Sequence, residues 1–134
     1  MKATQYVKID GKFQMHRGGY LESPSIAYET WGKKHTDCNA ILIFTGLSPS
    51  AHASSSTKDP KSGWWEDMIG SGLPLDTDKY FIICVNSLGS CFGSTGPASI
   101  DPISGKPYKL SFPVLSLEDV AKGGYEVIKS LGLK

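Results

Sequence analysis

Residues 45–52 form a predicted loop whose backbone could stabilise negative charge. They read Thr-Gly-Leu-Ser-Pro-Ser-Ala-His and follow directly on the apolar run 40–44. A loop that follows a buried strand emerges at the carboxyl edge of the sheet, where open α/β folds bind their ligands. Because Gly46 has no side chain, a ligand oxygen can approach the backbone N–H of Leu47, and an exposed N–H of this kind can stabilise an oxyanion. The alternative is an ordinary Gly-Ser-Pro turn, which the spacing alone favours.

Cys91 is a second candidate, because it is the centre of the sequence Gly89-Ser-Cys-Phe-Gly93. That spacing is typical of a nucleophile elbow with cysteine in place of serine, and it follows a buried apolar run. An elbow must turn sharply from a strand into a helix, yet segment 94–102 holds two prolines and a glycine where the helix would begin. No Lys or Arg stands near Cys91 in sequence to favour the thiolate. We therefore expect Cys91 to be a structural thiol packed against the loop.

Other residues that could bind ligands have ordinary structural interpretations. His52 is within reach of the same sheet edge, but a single histidine is more often a surface or hydrogen-bonded residue. Trp64 and Trp65 could offer an aromatic face, although adjacent aromatic residues usually bury at least one ring, and we favour packing. His35 and Cys38 have metal-compatible spacing but no second pair, so no metal site is expected. The sequence contains no P-loop, GxGxxG, HExxH, EF-hand loop or G-x-S-x-G.

The elements that must position these residues are read from the periodicity of the chain. Segments 6–9 and 25–31 alternate apolar and polar residues, as antiparallel strands with one solvated face do. A turn at 10–12 predicts a hairpin whose second arm is 13–15. Two continuous apolar runs, at 40–44 and 80–85, are typical of parallel strands that are buried on both faces.

The rest of the chain is predicted to be mostly loop, with two helical segments. Residues 63–70 could form one or two helical turns between glycines, and the Gly-, Ser- and Pro-rich segment 87–113 is a long, functional type of loop. A capping box at 116–119 predicts a helix that ends near Gly132. Its apolar stripe comprises Leu117, Val120, Ala121, Ile128 and Leu131. We expect Gly123 and Gly124 to allow close helix-to-sheet approach.

This order of elements predicts an α/β fold, with antiparallel lead-in strands followed by parallel strands and a helix. The sheet looks unfinished, because the chain stops after the helix, where another buried strand is expected. We therefore interpret residues 1–134 as the amino-terminal part of one larger α/β domain.

Composition excludes several other classes of protein. With 40% hydrophobic and 20% charged residues, the chain is typical of a folded domain. A formal net charge of +1 gives no general attraction to nucleic acid or to anionic membranes, so neither is expected as a partner. Its longest apolar run is far too short to cross a bilayer, and its start lacks the apolar core of a signal peptide. Three cysteines without a CxxC pair are expected to be free thiols, which favours a cytoplasmic location.

Several segments together resemble the homoserine O-acetyltransferase group of α/β-hydrolase-fold acyltransferases, which also includes serine O-acyltransferases. The matching segments cover most of the chain: 27–32, 59–70, 76–81, 86–97, 105–108 and 112–113. Cys-Phe-Gly-Ser-Thr-Gly-Pro, at 91–97, is the most specific of them. The resemblance implies an α/β-hydrolase fold of which this chain is the amino-terminal portion.

The resemblance also implies a reaction. In that family an acyl group passes from acyl-CoA to a serine nucleophile, and then to the side-chain hydroxyl of an amino acid, with His and Asp completing a triad. Leu47 matches the position whose backbone amide contributes to the oxyanion hole, and Gly46 and Ser48 are expected in the substrate pocket. The nucleophile and triad are expected beyond Lys134, so this chain alone is predicted to be inactive.

Further expectations about substrates and assembly come from the same resemblance. Acyl-CoA is a co-substrate, no bound cofactor is expected, and the full-length family is expected to form homodimers that serve cysteine or methionine biosynthesis. Where homoserine acetyltransferases show His-Ala-Leu-Thr-Gly, this chain has Thr45-Gly-Leu-Ser-Pro49, which favours L-serine over L-homoserine as acceptor. An acetyl or a succinyl donor stays open. Two other classes also stay open: a non-catalytic binding or assembly module built on a truncated hydrolase-like sheet, and a different α/β hydrolase that acts on esters.

Overall fold

The computed structural model describes residues 3–35 and 39–134. Cys38 lies outside the described residues, so the predicted free thiol there and its metal-compatible pairing with His35 lie outside them as well. The strands are β1 (Gln5–Lys8), β2 (Lys12–Gln14), β3 (Tyr20–Glu22), β4 (Ser25–Trp31), β5 (Ala40–Phe44), β6 (Ile69–Gly70), β7 (Leu75–Asp76) and β8 (Phe81–Val85). A 3-10 turn covers Lys109–Ser111, and the helix α1 covers Leu117–Ser130.

The main sheet has four strands in the order β1-β4-β8-β5. β1 and β8 both pair antiparallel with β4, whereas β5 pairs parallel with β8. Successive residues of β8 alternate between two hydrophobic clusters, one that includes Val127 of α1 and one that includes Trp31. Both faces of the sheet are therefore covered. The predicted order of antiparallel strands, parallel strands and helix is confirmed.

The predicted hairpin between the first two strands is wrong. β1 pairs with β4, and this pairing is extended by hydrogen bonds from the Ile9 N–H to the Pro24 carbonyl and from the Ser23 N–H to the Gly11 carbonyl. β2 pairs instead with β3, a strand that the sequence analysis missed. This arrangement buries Phe13 against Leu21, its partner in the ladder, within the cluster that α1 covers. Burial of these two side chains therefore decides the pairing.

The predicted burial is wrong for two strands. β4 has no solvated face, because the consecutive residues Ile26, Ala27, Tyr28 and Glu29 point alternately to both faces and all are buried. β5, predicted to be buried on both faces, is exposed at both ends and only half-buried between them. Among the described residues it pairs with β8 alone, which makes it an edge strand. The burial of β4 therefore includes a charged side chain, that of Glu29.

Residues 63–70 do not form the predicted helical turns. Residues 64–68 make a tight turn, closed by a hydrogen bond from the Met68 N–H to the Trp65 carbonyl, and β6 follows at once. Gly63 is required by close packing, since a Cβ there would lie 2.2 Å from the Ala53 carbonyl carbon. The turn therefore packs directly against the loop that follows β5, at Ala53.

The helix α1 begins and ends as predicted. The Asp119 carboxylate accepts hydrogen bonds from the backbone N–H of Ser116 at 2.9 Å and from that of His16 at 2.7 Å. Gly132, with φ +71°, closes the carboxyl end through a hydrogen bond to the Lys129 carbonyl. Among the described residues, no helix is long and apolar enough to span a bilayer.

The face that α1 buries differs from the predicted stripe. Gly123, Gly124 and Val127 are buried, whereas Leu117 is 83% exposed. Both glycines bring the helix close to the sheet, as predicted: a Cβ at Gly123 would lie 3.1 Å from Ile26, and one at Gly124 would lie 2.4 Å from Phe44. Because the two glycines have no side chains, the inner face of the helix packs directly on β4 and β5.

Candidate active-site loop

The carboxyl ends of β5 and β8 lie side by side, because Phe44 is paired with Val85 in the parallel register. The loops that follow them therefore leave the sheet at the same edge. They are fastened to each other by their first residues: the Ser87 N–H donates to Thr45 Oγ1 at 3.1 Å, and Ser87 Oγ donates to the Thr45 carbonyl at 2.5 Å. Both side chains are buried. This contact fixes where the segment 45–53, hereafter the β5 loop, begins.

Leu47 lies two residues beyond this contact and is exposed over 67% of its surface. Among the residues that the structure describes, no group accepts a hydrogen bond from the Leu47 N–H. Gly46 is equally open, since a Cβ there would meet no atom within 4 Å. The amide is thus accessible at the carboxyl edge of the sheet, as an oxyanion donor must be. Its catalytic role stays a prediction.

A cavity of about 520 Å³ opens beside this amide. Its walls come from the β5 loop and from the start of α1, and they are largely apolar: Phe44, Thr45, Gly46, Leu47, Ser87, Leu115, Ser116, Leu117, Val120 and Ala121. The predicted pocket residue Ser48 is exposed and lies outside this lining. Leu117 and Ala121, which the sequence assigned to the buried stripe of α1, therefore face the cavity instead of the core.

Asn86 braces the middle of the β5 loop, and the sequence analysis did not single it out. Its side chain is fully buried, and Nδ2 donates to the Pro49 carbonyl at 3.1 Å. Oδ1 accepts from Ser90 Oγ at 2.7 Å and from the Ser94 N–H at 3.0 Å. One amide side chain therefore ties the β5 loop to the loop that contains Cys91. An Asn directly after a buried strand was the signal that could have identified it.

Cys91 is exposed, so the prediction of a packed structural thiol is wrong. Residues 91–95 are bends that no helix follows, which agrees with the expectation that this segment is not a nucleophile elbow. The buried thiol is Cys84, in β8, where burial and the nearby charge of Glu29 raise the pKa to about 12. Within residues 3–35 and 39–134, no group of three or more His, Cys, Asp or Glu side chains is arranged to hold a metal ion.

His52 is hydrogen-bonded through both ring nitrogens. Nδ1 lies 2.9 Å from Glu29 Oε1, and Nε2 lies 2.6 Å from the Lys61 carbonyl oxygen. Burial disfavours the ring charge, but the hydrogen bonds to Glu29 and Lys61, with the nearby charges of Glu29 and Asp59, outweigh it, so the pKa of His52 is raised. This confirms His52 as a hydrogen-bonded residue. Its partner Glu29 was missed, although it is the one charged residue in β4.

Neither Trp64 nor Trp65 is buried, contrary to the packing interpretation. They are 42% and 38% exposed, and their rings stack with centroids 5.6 Å apart. The turn that contains them sits on the surface because its inward contact is made by Gly63, against the backbone at Ala53. Trp64 Nε1 donates to the Ser50 carbonyl at 2.9 Å, so the pair supports the β5 loop from outside.

Curated relatives match nearly the whole chain. No protein-family model matches it. The serine O-succinyltransferase of Litchfieldella anticariensis is 55% identical over 132 residues, which are 98% of this chain and 36% of that protein. The enzyme of the same name from Xanthomonas campestris pv. campestris is 55% identical over 131 residues, or 97% and 34%, and that of Stenotrophomonas maltophilia is 52% identical over 132 residues, or 98% and 36%. The chain thus spans about a third of the length of these relatives.

Solved structures match the fold equally well. Esterase E22 superposes with a TM-score of 0.87 at 31% identity, covering 97% of this chain and 38% of that one. A homoserine O-acetyltransferase from Bacillus anthracis gives a TM-score of 0.85 at 33% identity, covering 99% and 38%. These neighbours have the α/β-hydrolase fold, so the predicted fold class is confirmed.

Proposed function

Because the chain belongs, over the stretch that it shares, to the serine/homoserine O-acyltransferase family, we propose that it supplies one oxyanion-hole donor to an O-acyltransferase. The reaction moves an acyl group from acyl-CoA to the side-chain hydroxyl of L-serine. The observation that carries this proposal is the accessible Leu47 amide at the carboxyl edge of the sheet, beside a largely apolar cavity.

The role of Leu47 follows from the chemistry of acyl transfer. A serine hydroxyl that attacks the thioester carbonyl forms a tetrahedral intermediate, whose oxygen becomes negatively charged. The Leu47 N–H donates a hydrogen bond to that oxygen, while CoA leaves as the thiol. Attack by the acceptor hydroxyl on the acyl-enzyme forms a second oxyanion at the same place, and collapse of that intermediate releases the amino-acid ester. In this proposal the nucleophile belongs to a part of the family's length that this chain does not span, since no G-x-S-x-G occurs in it, and the resemblance implies the same for the triad Asp and His.

Serine is the proposed acceptor and succinyl the first donor to test. The sequence Thr45-Gly-Leu-Ser favours serine, and the curated relatives are named serine O-succinyltransferases. Substrates are small molecules, and the resemblance further supports a cytoplasmic homodimer. By itself the 134-residue chain turns over neither substrate in this proposal.

The test is a chimera. The matching 131 residues of the Xanthomonas campestris enzyme are replaced by this chain, and the product is identified by mass spectrometry. Succinyl-CoA and acetyl-CoA are each combined with L-serine and with L-homoserine. We expect O-succinylserine at a rate comparable with the parent enzyme, and no product from the isolated chain. A chimera that unfolds cooperatively but transfers no acyl group to either amino acid would contradict the proposal.

Ester hydrolysis is a second candidate, favoured by the superposition on esterase E22 at a TM-score of 0.87. The same oxyanion donor serves both reactions, and the difference is whether water or an amino-acid hydroxyl attacks the acyl-enzyme. The discriminating measurement is the ratio of transfer to hydrolysis in the chimera. Rapid hydrolysis of p-nitrophenyl acetate, together with loss of succinyl-CoA that L-serine does not accelerate, would support the esterase.

A further inference from the structure

We propose that His52 is a positioning residue: its ring is held as an imidazolium between the Glu29 carboxylate and the Lys61 carbonyl, and this contact fixes the β5 loop that presents the Leu47 amide. The relevance of this contact to acyl transfer rests on the proposed function.

Counting donors and acceptors gives the protonation state of the ring. The Lys61 carbonyl can only accept, so the ring nitrogen 2.6 Å away must carry a proton. The charge of Glu29 raises the pKa of His52, and an ionised carboxylate only accepts, so we assign a proton to the nitrogen 2.9 Å from Glu29 as well. A ring protonated at both nitrogens is positively charged. It cannot act as a general base, since neither nitrogen has a free lone pair.

The surroundings make this charge necessary. Glu29 is only 1% exposed, and a buried carboxylate is strongly destabilising unless it is paired and hydrogen-bonded. Its other oxygen accepts from the Thr4 hydroxyl at 3.2 Å, which leaves His52 as its counter-charge. Among the described residues, His52 is the partner of the ion pair that Glu29 makes, while Cys84 across the ladder is a thiol with a raised pKa and Asp59 is acidic.

The contact lies at the far end of the β5 loop. Thr45 anchors the near end to Ser87, Asn86 holds Pro49, and His52 anchors the last turn to β4. The His52 N–H also donates to Ser50 Oγ at 3.2 Å, and the Ser50 carbonyl accepts from the Trp64 indole. Leu47 lies between the contacts made at Thr45 and at Pro49. Beyond the Pro49 contact, the far half of the loop is held by His52 and by the hydrogen bond from the Trp65 N–H to the Ala53 carbonyl, so loss of the His52 contact removes one of these two restraints.

The contact has a defined pH dependence. A histidine whose folded pKa is raised above its ordinary value of about 6.5 stabilises the fold fully below that value. The stabilisation is lost as pH rises through the raised folded pKa. The β5 loop is then expected to loosen as pH rises through the raised pKa of His52, because the ring becomes neutral and Glu29 loses its counter-charge.

The test uses nuclear magnetic resonance on the 134-residue chain, with nitrogen-15 shifts of the His52 ring and exchange of the Trp64 indole N–H as readouts. Both ring nitrogens should be protonated below a titration midpoint that lies above the ordinary value of about 6.5, and the Leu47 amide signal should move with that midpoint. His52→Gln should raise indole exchange about tenfold, the factor that ~1.4 kcal/mol represents. The matched control is His16→Gln, because the His16 ring is exposed and its contact with the exposed Glu118 carboxylate is longer, at 3.8 Å.

A His52 midpoint at or below the ordinary value of about 6.5, or a Leu47 amide signal that does not change with the His52 titration, would overturn the inference. Equal indole exchange in His52→Gln and His16→Gln would do the same. Should His52→Gln fail to fold, the ring titration and the Leu47 signal of the unmodified chain still decide the matter. None of these readouts depends on catalysis, so failure of the chimera to transfer an acyl group would leave them unchanged.

Discussion

The reactive group that Leu47 contributes belongs to its backbone, which gives an unusual substitution pattern. Any side chain at position 47 keeps the N–H except proline. In the chimera, Leu47→Pro should lower kcat by about 10²–10³-fold, the usual loss for one oxyanion-hole donor. Leu47→Ala, which keeps the amide and removes an exposed side chain, is the control and should retain kcat. Steady-state kinetics with succinyl-CoA and L-serine would measure both, and equal rates would rule out the amide.

Individual residues differ in how far sequence alone could place them. The Leu47 amide could be located because an apolar strand followed by glycine is a local signal, and its accessibility depends mainly on the end of β5. Glu29 could not, because its burial depends on β1, β8 and the distant His52, which come together only in the fold. Cys91 was misplaced for the same reason: its exposure is set by how Asn86 holds the surrounding loop.

At the scale of elements, the start of α1 is joined to the chain near β2 by Asp119. Burial raises the pKa of Asp119, but hydrogen bonds from the His16 and Ser116 N–H groups outweigh it, so the pKa is lowered from 3.8. A carboxyl group with a lowered folded pKa stabilises the fold above its unfolded value, and this stabilisation disappears as pH falls through the folded value.

Asp119→Asn should therefore lower the free energy of unfolding by about 1–2 kcal/mol at neutral pH. The difference from the unmodified chain should shrink below pH 3.8 and vanish at more acidic pH. Urea titrations at several pH values would measure it. Asp67→Asn removes the same charge from an exposed turn and is the control, with no expected change. A difference that stays constant with pH would refute the carboxylate's role.

Elements were predictable where local signals decide them. The bounds of α1 followed from its capping box and Gly132, β4 followed from the alternation at 25–31, and β5 and β8 followed from continuous apolar runs. Pairing was not predictable for β1 and β2, since which strands join depends on burying Phe13 with Leu21. The turn at 64–68 was read as helical because the packing of Gly63 against Ala53 is invisible in the sequence.

At the scale of the whole molecule, the sheet has an edge that no other described strand covers. β5 pairs only with β8, and its last residue, Phe44, is exposed beside Leu47 and Leu117. These side chains line the mouth of the apolar cavity. An uncovered strand edge and a contiguous apolar surface both promote association in water. The same surface is where the rest of an α/β-hydrolase domain would be expected to pack in the proposed full-length enzyme.

The isolated chain should therefore associate as its concentration rises, which sedimentation velocity would measure. Leu117→Glu should reduce that association because it places a charge at the cavity mouth, where Leu117 is 83% exposed. Leu110→Glu, at a more exposed leucine outside the cavity lining, is the control and should change little. A chain that stays monomeric and unfolds cooperatively would instead favour a self-sufficient binding module, because it would be stable with this strand edge uncovered.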